Sequence, residues 1–246
     1  MALPKIKTAT HELTLPSNGV NLTYRPFLVK EQKILLMALE SEEQSEMLRA
    51  IKQIIANCVV GEIDIDSLPM FDLEYVFLQL RARSVGEIID LNLSHFNGEN
   101  SEGEKCEGSY QYALDLLQVE VFKEEGHDPK IILDEEDGIG IILKYPTLNM
   151  ADNIQEAAEK SQIEVITDMV VTCVDVIFDK DDVYPASEST HEEISEFLNE
   201  LSQEQFEKIT NFFSSMPKLK KDIQWTCPLC EKDETTELEG MANFFA

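Results

Sequence analysis

The sharpest chemistry in the sequence lies near the C-terminal end, where Cys227-Pro-Leu-Cys230 sets two thiols two residues apart. At the tip of a hairpin such a pair forms half of a tetrahedral zinc site. A structural zinc takes four ligands, and the sequence holds no second CxxC. Cys106, from the central loop, and His95, at the end of the strand before that loop, are the candidates to complete the shell. Closure between two copies of the chain is another route. The alternative is a knuckle that has lost its metal and keeps only the turn. With half a ligand set visible, the expectation leans to that metal-free turn, and zinc is the one candidate cofactor. A redox role would need the pair at a helix N-terminus, where the dipole lowers the thiol pKa; the flanks here read as strands.

Other chemistries find little support. His11, His95, His127 and His191 fall in polar or loop-like segments with no HExxH or His-x-His grouping. There is no Gly-x-Ser-x-Gly elbow and no glycine-rich loop followed by Lys-Ser/Thr. Acidic groupings such as Asp64/Asp66, Asp134/Asp137 and Asp179/Asp181/Asp182 lack the ligand order of a calcium loop. Among forty-eight acids they read as a solvated face. The expectation is a protein with no catalytic residues, not an enzyme. Two aromatic pairs are candidate partner-binding residues: Phe212-Phe213, which precede Met216-Pro217, and Phe244-Phe245, whose apolar side chains so near a terminus are wasted unless they dock. The competing reading tucks the tail into its own domain.

The charge narrows the partners. Twenty Lys plus Arg against forty-eight Asp plus Glu give a formal −28. A phosphate backbone is bound by neutralising it with cations, so this surface repels nucleic acid and anionic lipid alike. The densest basic run, Lys218-Leu-Lys-Lys221, has three cations. No apolar run is long enough to cross a membrane, and the start of the chain lacks a signal core. Five cysteines, an odd number, suit a reducing compartment.

The elements that must position these residues follow from periodicity. Leu13, Leu15, Val20, Leu22 and Tyr24 alternate around Pro16-Ser-Asn-Gly19, which predicts a hairpin. Leu28, Ile34, Leu35 and Leu39, with Leu36, Met37 and Ala38 between them, predict a largely buried helix. Further helices are expected over 45–59 and from about Pro69 to Gly86, with Leu35, Ile55 and Phe77 buried. Residues 86–146 read as strands, including two that flank a Gly- and Glu-rich loop over 97–108 and two joined by an acidic turn over 134–138. Helices are expected again over 151–160, 163–178, 190–201 and 202–214, before two short strands around the CxxC. The layout is α+β: two helical blocks flanking a central antiparallel β region, with a C-terminal zinc-knuckle-like β-hairpin. The divisions are 1–85, 86–149 and 150–246. The central and terminal hairpins share a plan, each with cysteine at its turn.

Several strings carry a resemblance. They are Lys7-Thr-Ala-Thr-His-Glu-Leu13, Tyr24-Arg-Pro-Phe-Leu-Val-Lys-Glu31, Lys33-Ile-Leu-Leu-Met-Ala38, Leu68-Pro-Met-Phe-Asp-Leu-Glu-Tyr75 and Arg81-Ala-Arg-Ser-Val-Gly-Glu87. Later come Gly138-Ile-Gly-Ile-Ile-Leu-Lys-Tyr-Pro146, Phe212-Phe213, Met216-Pro-Lys-Leu-Lys220, the CxxC, Leu238-Glu-Gly-Met241 and Phe244-Phe245. In this order, over nearly the whole chain, the sequence resembles the baseplate hub assembly proteins of T-even-type contractile-tailed phages. Its central loop departs from that pattern in carrying the single Cys106. The resemblance implies help in building the central hub through contacts with hub proteins, in the host cell cytoplasm, as an assembly chaperone. The other roles it leaves open are a permanent minor component of the baseplate hub in the virion and, from the CxxC, a zinc-binding regulatory protein. Nucleic acid and membrane are not expected partners.

Overall fold

The computed structural model describes residues 7–41, 43–147, 150 and 162–244. In chain order its elements begin with β1 (His11–Thr14), β2 (Asn21–Tyr24), α1 (Val29–Ser41), α2 (Gln44–Cys58), β3 (Val59–Val60) and α3 (Met70–Val85). The strands β4 (Ile88–Ser94), β5 (Ser109–Asp115), β6 (Glu120–Phe122), β7 (Lys130–Asp134) and β8 (Ile139–Leu143) follow. Then come α4 (Gln162–Cys173), β9 (Val174–Phe178), β10 (Val183–Pro185), α5 (His191–Asn199), α6 (Gln203–Ser214), β11 (Lys218–Thr226) and β12 (Asp233–Glu239). Every strand pair among the described residues is antiparallel, so the fold is α+β. The helix expected over 151–160 lies outside the described residues.

The chain forms two compact units that cut across the sequence blocks. Unit 1 comprises Met1–Ile65, Phe71–Phe122 and Lys218–Ala246; unit 2 comprises Asp66–Met70 and Lys123–Pro217. The regrouping has a simple cause. β11 pairs with β6 as well as with β12, with Leu219 opposite Val121, so the C-terminal hairpin returns to the central strands.

In unit 1, the alternation around Pro16 and Gly19 makes the expected hairpin. Leu13, Leu15, Leu22 and Tyr24 are buried, and the Leu15 N–H donates to the Val20 carbonyl at 2.8 Å. Gly19 closes the turn at φ 71°, a left-handed conformation that glycine adopts without a Cβ clash. The turn is tied to α3: both Ser17 N–H, at 3.0 Å, and Ser17 Oγ donate to the buried Asp72 carboxylate. The alternating strand β4 buries Ile89, Leu91 and Leu93. These pack with Leu78 of α3, Leu114 of β5, Ile223 and Trp225 of β11 and Phe244 in one core.

Helix α1 departs from expectation. Its buried positions are Glu31 and Ala38, whereas Leu35 is half-buried and Leu36, Met37 and Leu39 are exposed. An alanine two turns after Glu31 allows α1 a close approach on that one side, and the other side keeps its large apolar residues in solvent. Ile55 and Phe77 are buried as expected. Glu31 is fully buried, and its carboxylate accepts from Arg25 at 3.1 Å, from the Leu28 N–H at 2.9 Å and from Lys30 at 3.2 Å. Burial works against the charge, but the Arg25, Leu28 and Lys30 hydrogen bonds hold its pKa below the usual carboxylate value. Glu31→Ala leaves the Leu28 N–H without this acceptor and the largely buried Arg25 guanidinium, still bonded to the Pro26 and Asn57 carbonyls, without its carboxylate. It should lower stability by about 1–3 kcal/mol in denaturant titrations.

In unit 2, β10-β9-β8-β7 form one sheet that packs under α4, α5 and α6. The helix expected over 163–178 stops at Cys173, and β9 takes over. Val174, Val176 and Ile177 are β-branched, and β9 pairs with β8 from Gly140↔Phe178 to Leu143↔Val174. The helices α5 and α6 each start with a capping box, Thr190 with Glu193 and Ser202 with Gln205. Phe212 lies in this core, stacked with Tyr145 and His127 at 5.6 and 5.0 Å. The His127 ring bonds Ser215 through Nδ1 at 2.9 Å and Tyr145 through Nε2 at 3.0 Å.

Burial, aided by Lys123, depresses the His127 pKa. The folded state therefore binds fewer protons than the unfolded state once pH falls below about 6.5, so His127 costs nothing above that pH and destabilises unit 2 below it. Melting temperatures should drop between pH 7 and 5 by more in wild type than in His127→Phe. Equal drops would show that His127 does not set the acid sensitivity of unit 2.

Candidate metal centre

Two hairpins carry the candidate ligands. In the first, β4 and β5 pair in unbroken register from Ile88↔Asp115 to Ser94↔Ser109. His95 is therefore the first residue of the connecting loop and Cys106 lies on its return. The loop is folded by its own hydrogen bonds: the Cys106 N–H donates to the Gly98 carbonyl at 2.6 Å. Asn100 Oδ1 accepts from the N–H groups of Glu102 and Glu104 at 3.0 and 2.8 Å. In the second, β11 and β12 pair out to Thr226↔Asp233, and the Cys227 N–H donates to the Lys232 carbonyl at 2.9 Å. Between them Glu231 sits at φ 57°, an uncommon conformation for a residue with a Cβ, and its N–H donates to the Cys227 carbonyl at 3.0 Å. That tight turn aims both cysteines to one side, and the Leu229 N–H points at Cys227 Sγ from 3.4 Å.

The four sequence candidates meet. The ligand atoms of His95, Cys106, Cys227 and Cys230 all lie within 4.8 Å of one another. Cys106 Sγ is 3.9 Å from Cys227 Sγ, and Cys230 Sγ is 3.3 Å from His95 Nε2. The first three residues are buried and Cys230 is half-buried. His95 Nδ1 faces Glu234 Oε1 at 3.1 Å, and Lys232 Nζ pairs with the same oxygen at 2.8 Å. The Trp225 ring lies 5.8 Å from the imidazole and stacks on Tyr110. Among the described residues, this is the one group of three or more His, Cys, Asp or Glu side chains that converge in this way. The CxxC alone offers half of a tetrahedral donor set, and the fold brings two further donor side chains, His95 and Cys106, to the same place.

Two contributors to the site, Glu234 and Gly108, were not singled out from the sequence. A Cβ on Gly108 would lie 2.3 Å from Cys227 Sγ and 3.0 Å from Leu229 Cβ, so only a residue without a side chain lets the two hairpins close. Its position two residues after Cys106 was the available signal.

The electrostatics set these thiols apart. Burial opposes ionisation of Cys227, but the N–H groups of Cys230 and Leu229, with the Cys230 thiol and His95, bring its pKa down to about 6. For Cys230, the Lys232 N–H favours the thiolate, yet burial and the neighbouring Cys106 and Cys227 push its pKa up. The Glu234 hydrogen bond raises the His95 pKa. By contrast, burial lifts Cys58 and Cys173 to about 11, as expected of inert core thiols. The flanking elements are strands, so a helix dipole plays no part and thioredoxin-type chemistry lacks its usual basis.

The other candidates are placed differently. Phe212 and Phe244 are buried in the cores of units 2 and 1, Phe213 is half-buried against the unit 2 core, and Phe245 lies outside the described residues. The tail thus tucks into its own unit as far as Phe244. His11 is on β1, and His191 is 3.8 Å from Asp168. Two cations of the basic run are paired locally: Lys218 with Glu239 at 3.0 Å and Lys220 with Glu237 at 2.7 Å. Among the described residues, no helix is long and apolar enough to cross a membrane.

Searches of curated proteins and of solved structures found no match to this chain. A family model does match, over residues 8–246, and its description is T4 bacteriophage base plate protein. That span takes in both hairpins, both cores and the tail, so the chain belongs to the T4 bacteriophage base plate protein family.

Proposed function

We propose that this protein helps to build the central hub of the baseplate through protein–protein contacts, acting as an assembly chaperone in the host cell cytoplasm. The family match over residues 8–246 carries this reading. The surface supports it. On α1, Val29, Leu36, Met37 and Leu39 are exposed together, Met37 by 71%, and Phe96 beside His95 is exposed by 93%. Apolar side chains left in solvent on a highly charged protein suit the masking of subunit surfaces before assembly. The net charge of −28 keeps such a protein soluble and discourages unwanted contacts.

The test is a variant that changes the surface and spares the fold. Leu36→Glu with Met37→Glu should leave stability within about 0.5 kcal/mol of wild type, since both sites are exposed. It should fail to co-purify hub proteins from infected cells and should not support assembly. Wild-type assembly by the folded double variant would remove α1 from the contact surface. Mass spectrometry of finished particles separates a chaperone, which departs, from a permanent hub component, which stays.

A further inference from the structure

We propose that His95, Cys106, Cys227 and Cys230 form a structural zinc site that fastens the β4–β5 hairpin to the β11–β12 hairpin. Three sulfurs and one imidazole nitrogen are a donor set suited to tetrahedral zinc. With Zn–S near 2.3 Å and Zn–N near 2.05 Å, a regular tetrahedron has S–S edges of about 3.8 Å and S–N edges of about 3.6 Å. The structure has 3.9 Å between Cys106 and Cys227 and 3.3 Å between Cys230 and His95. Those two separations lie within about 0.3 Å of a filled shell's edges, and all four ligand atoms lie within 4.8 Å of one another.

The surroundings fit the same ion. His95 Nδ1 bonds Glu234, which places the proton on Nδ1 and leaves the Nε2 lone pair facing the sulfurs. A carboxylate behind a ligating imidazole fixes the ring and its tautomer. The Leu229 N–H directed at Cys227 Sγ stabilises a thiolate there. Each cysteine binds as the thiolate, so zinc uptake releases the thiol protons to solvent. Gly108 supplies the closeness: any side chain there would occupy the place of Cys227 Sγ. No position remains for a water or substrate on a four-ligand ion, so the role is structural. Zinc thereby joins segments 121 and 135 residues apart in sequence.

The experiment uses the full-length chain without a histidine tag, purified without chelator. Elemental analysis should find about one zinc per chain, and X-ray absorption should give about three sulfurs and one nitrogen around it. Cys227→Ser and Cys106→Ser should each lower zinc content, whereas His95→Cys, which substitutes another zinc ligand, should keep it. Glu234→Ala should weaken zinc affinity about 10–100-fold with the ligands intact. If a cysteine variant fails to fold, wild type decides: chelator should strip the zinc and lower the melting point, and added zinc should restore both. Folded wild type that holds no zinc and takes up none on titration overturns the proposal. So does iron in its place, a Cys106–Cys227 disulfide under reducing conditions, or a shell of oxygen and nitrogen.

Discussion

Phe77→Ala should destabilise unit 1 by about 3–5 kcal/mol, the range for deleting a large aromatic from a core. Phe77 is 1% exposed near the middle of α3, whose buried residues also include Leu73, Val76 and Leu80. Removing the ring forfeits its transfer from water and leaves a void that a helix packed this closely cannot collapse into. Ile55→Ala, at a fully buried site on α2, should cost about 2–5 kcal/mol by the same argument. Leu35→Ala, at a half-buried site on α1, should cost only about 1 kcal/mol. The sole tryptophan, Trp225, lies in the core of unit 1, so its fluorescence in urea reports that unit selectively. Equal midpoints for Phe77→Ala and wild type would mean that α3 does not pack as described.

Gly108→Ala should be nearly as damaging, by about 3 kcal/mol, the upper end for overpacking. The methyl would lie 2.3 Å from Cys227 Sγ, and the sulfur cannot yield without leaving the ligand cluster. Either the central loop or the C-terminal turn must move, which separates the two hairpins. Because Gly108 does not need a positive φ, the cost comes from lost space and not from backbone strain. Trp225 fluorescence and the reactivity of Cys106 and Cys227 towards a thiol reagent should both change. A folded variant with native thiol protection would show that the hairpins do not approach this closely.

Much of the local structure was legible because it obeys short-range rules. Leu13 and Leu15, and Leu22 and Tyr24, alternate at period two on the two arms of one hairpin, and Ile89, Leu91 and Leu93 do so on β4; all are buried. The failures have physical causes. On α1, apolar residues all round suggest burial, but burial of apolar residues is a one-way rule, and Leu36 and Met37 stay exposed. At Cys173 the apolar run continues without punctuation, and a short apolar run does not distinguish helix from strand; pairing with β8 and β10 makes Val174–Phe178 a strand.

The ligand cluster was half legible. The CxxC spacing identifies itself, and the cysteine at the turn of a similar hairpin pointed to Cys106 and His95. Their meeting depends on β6 pairing with β11, a contact between residues nearly a hundred positions apart that no local pattern encodes. Gly108 and Glu234 acquire meaning only once that pairing exists. The same pairing explains why the terminal hairpin belongs with the central strands and not with the helices that precede it.

A need for this protein in baseplate assembly can be measured by counting complete baseplates in cells infected with phage from which its gene has been deleted. With the proposed role, hub proteins accumulate unassembled, complete baseplates are missing, and wild-type protein supplied from a plasmid restores them. Complete baseplates and normal tails in its absence would show that assembly does not depend on it.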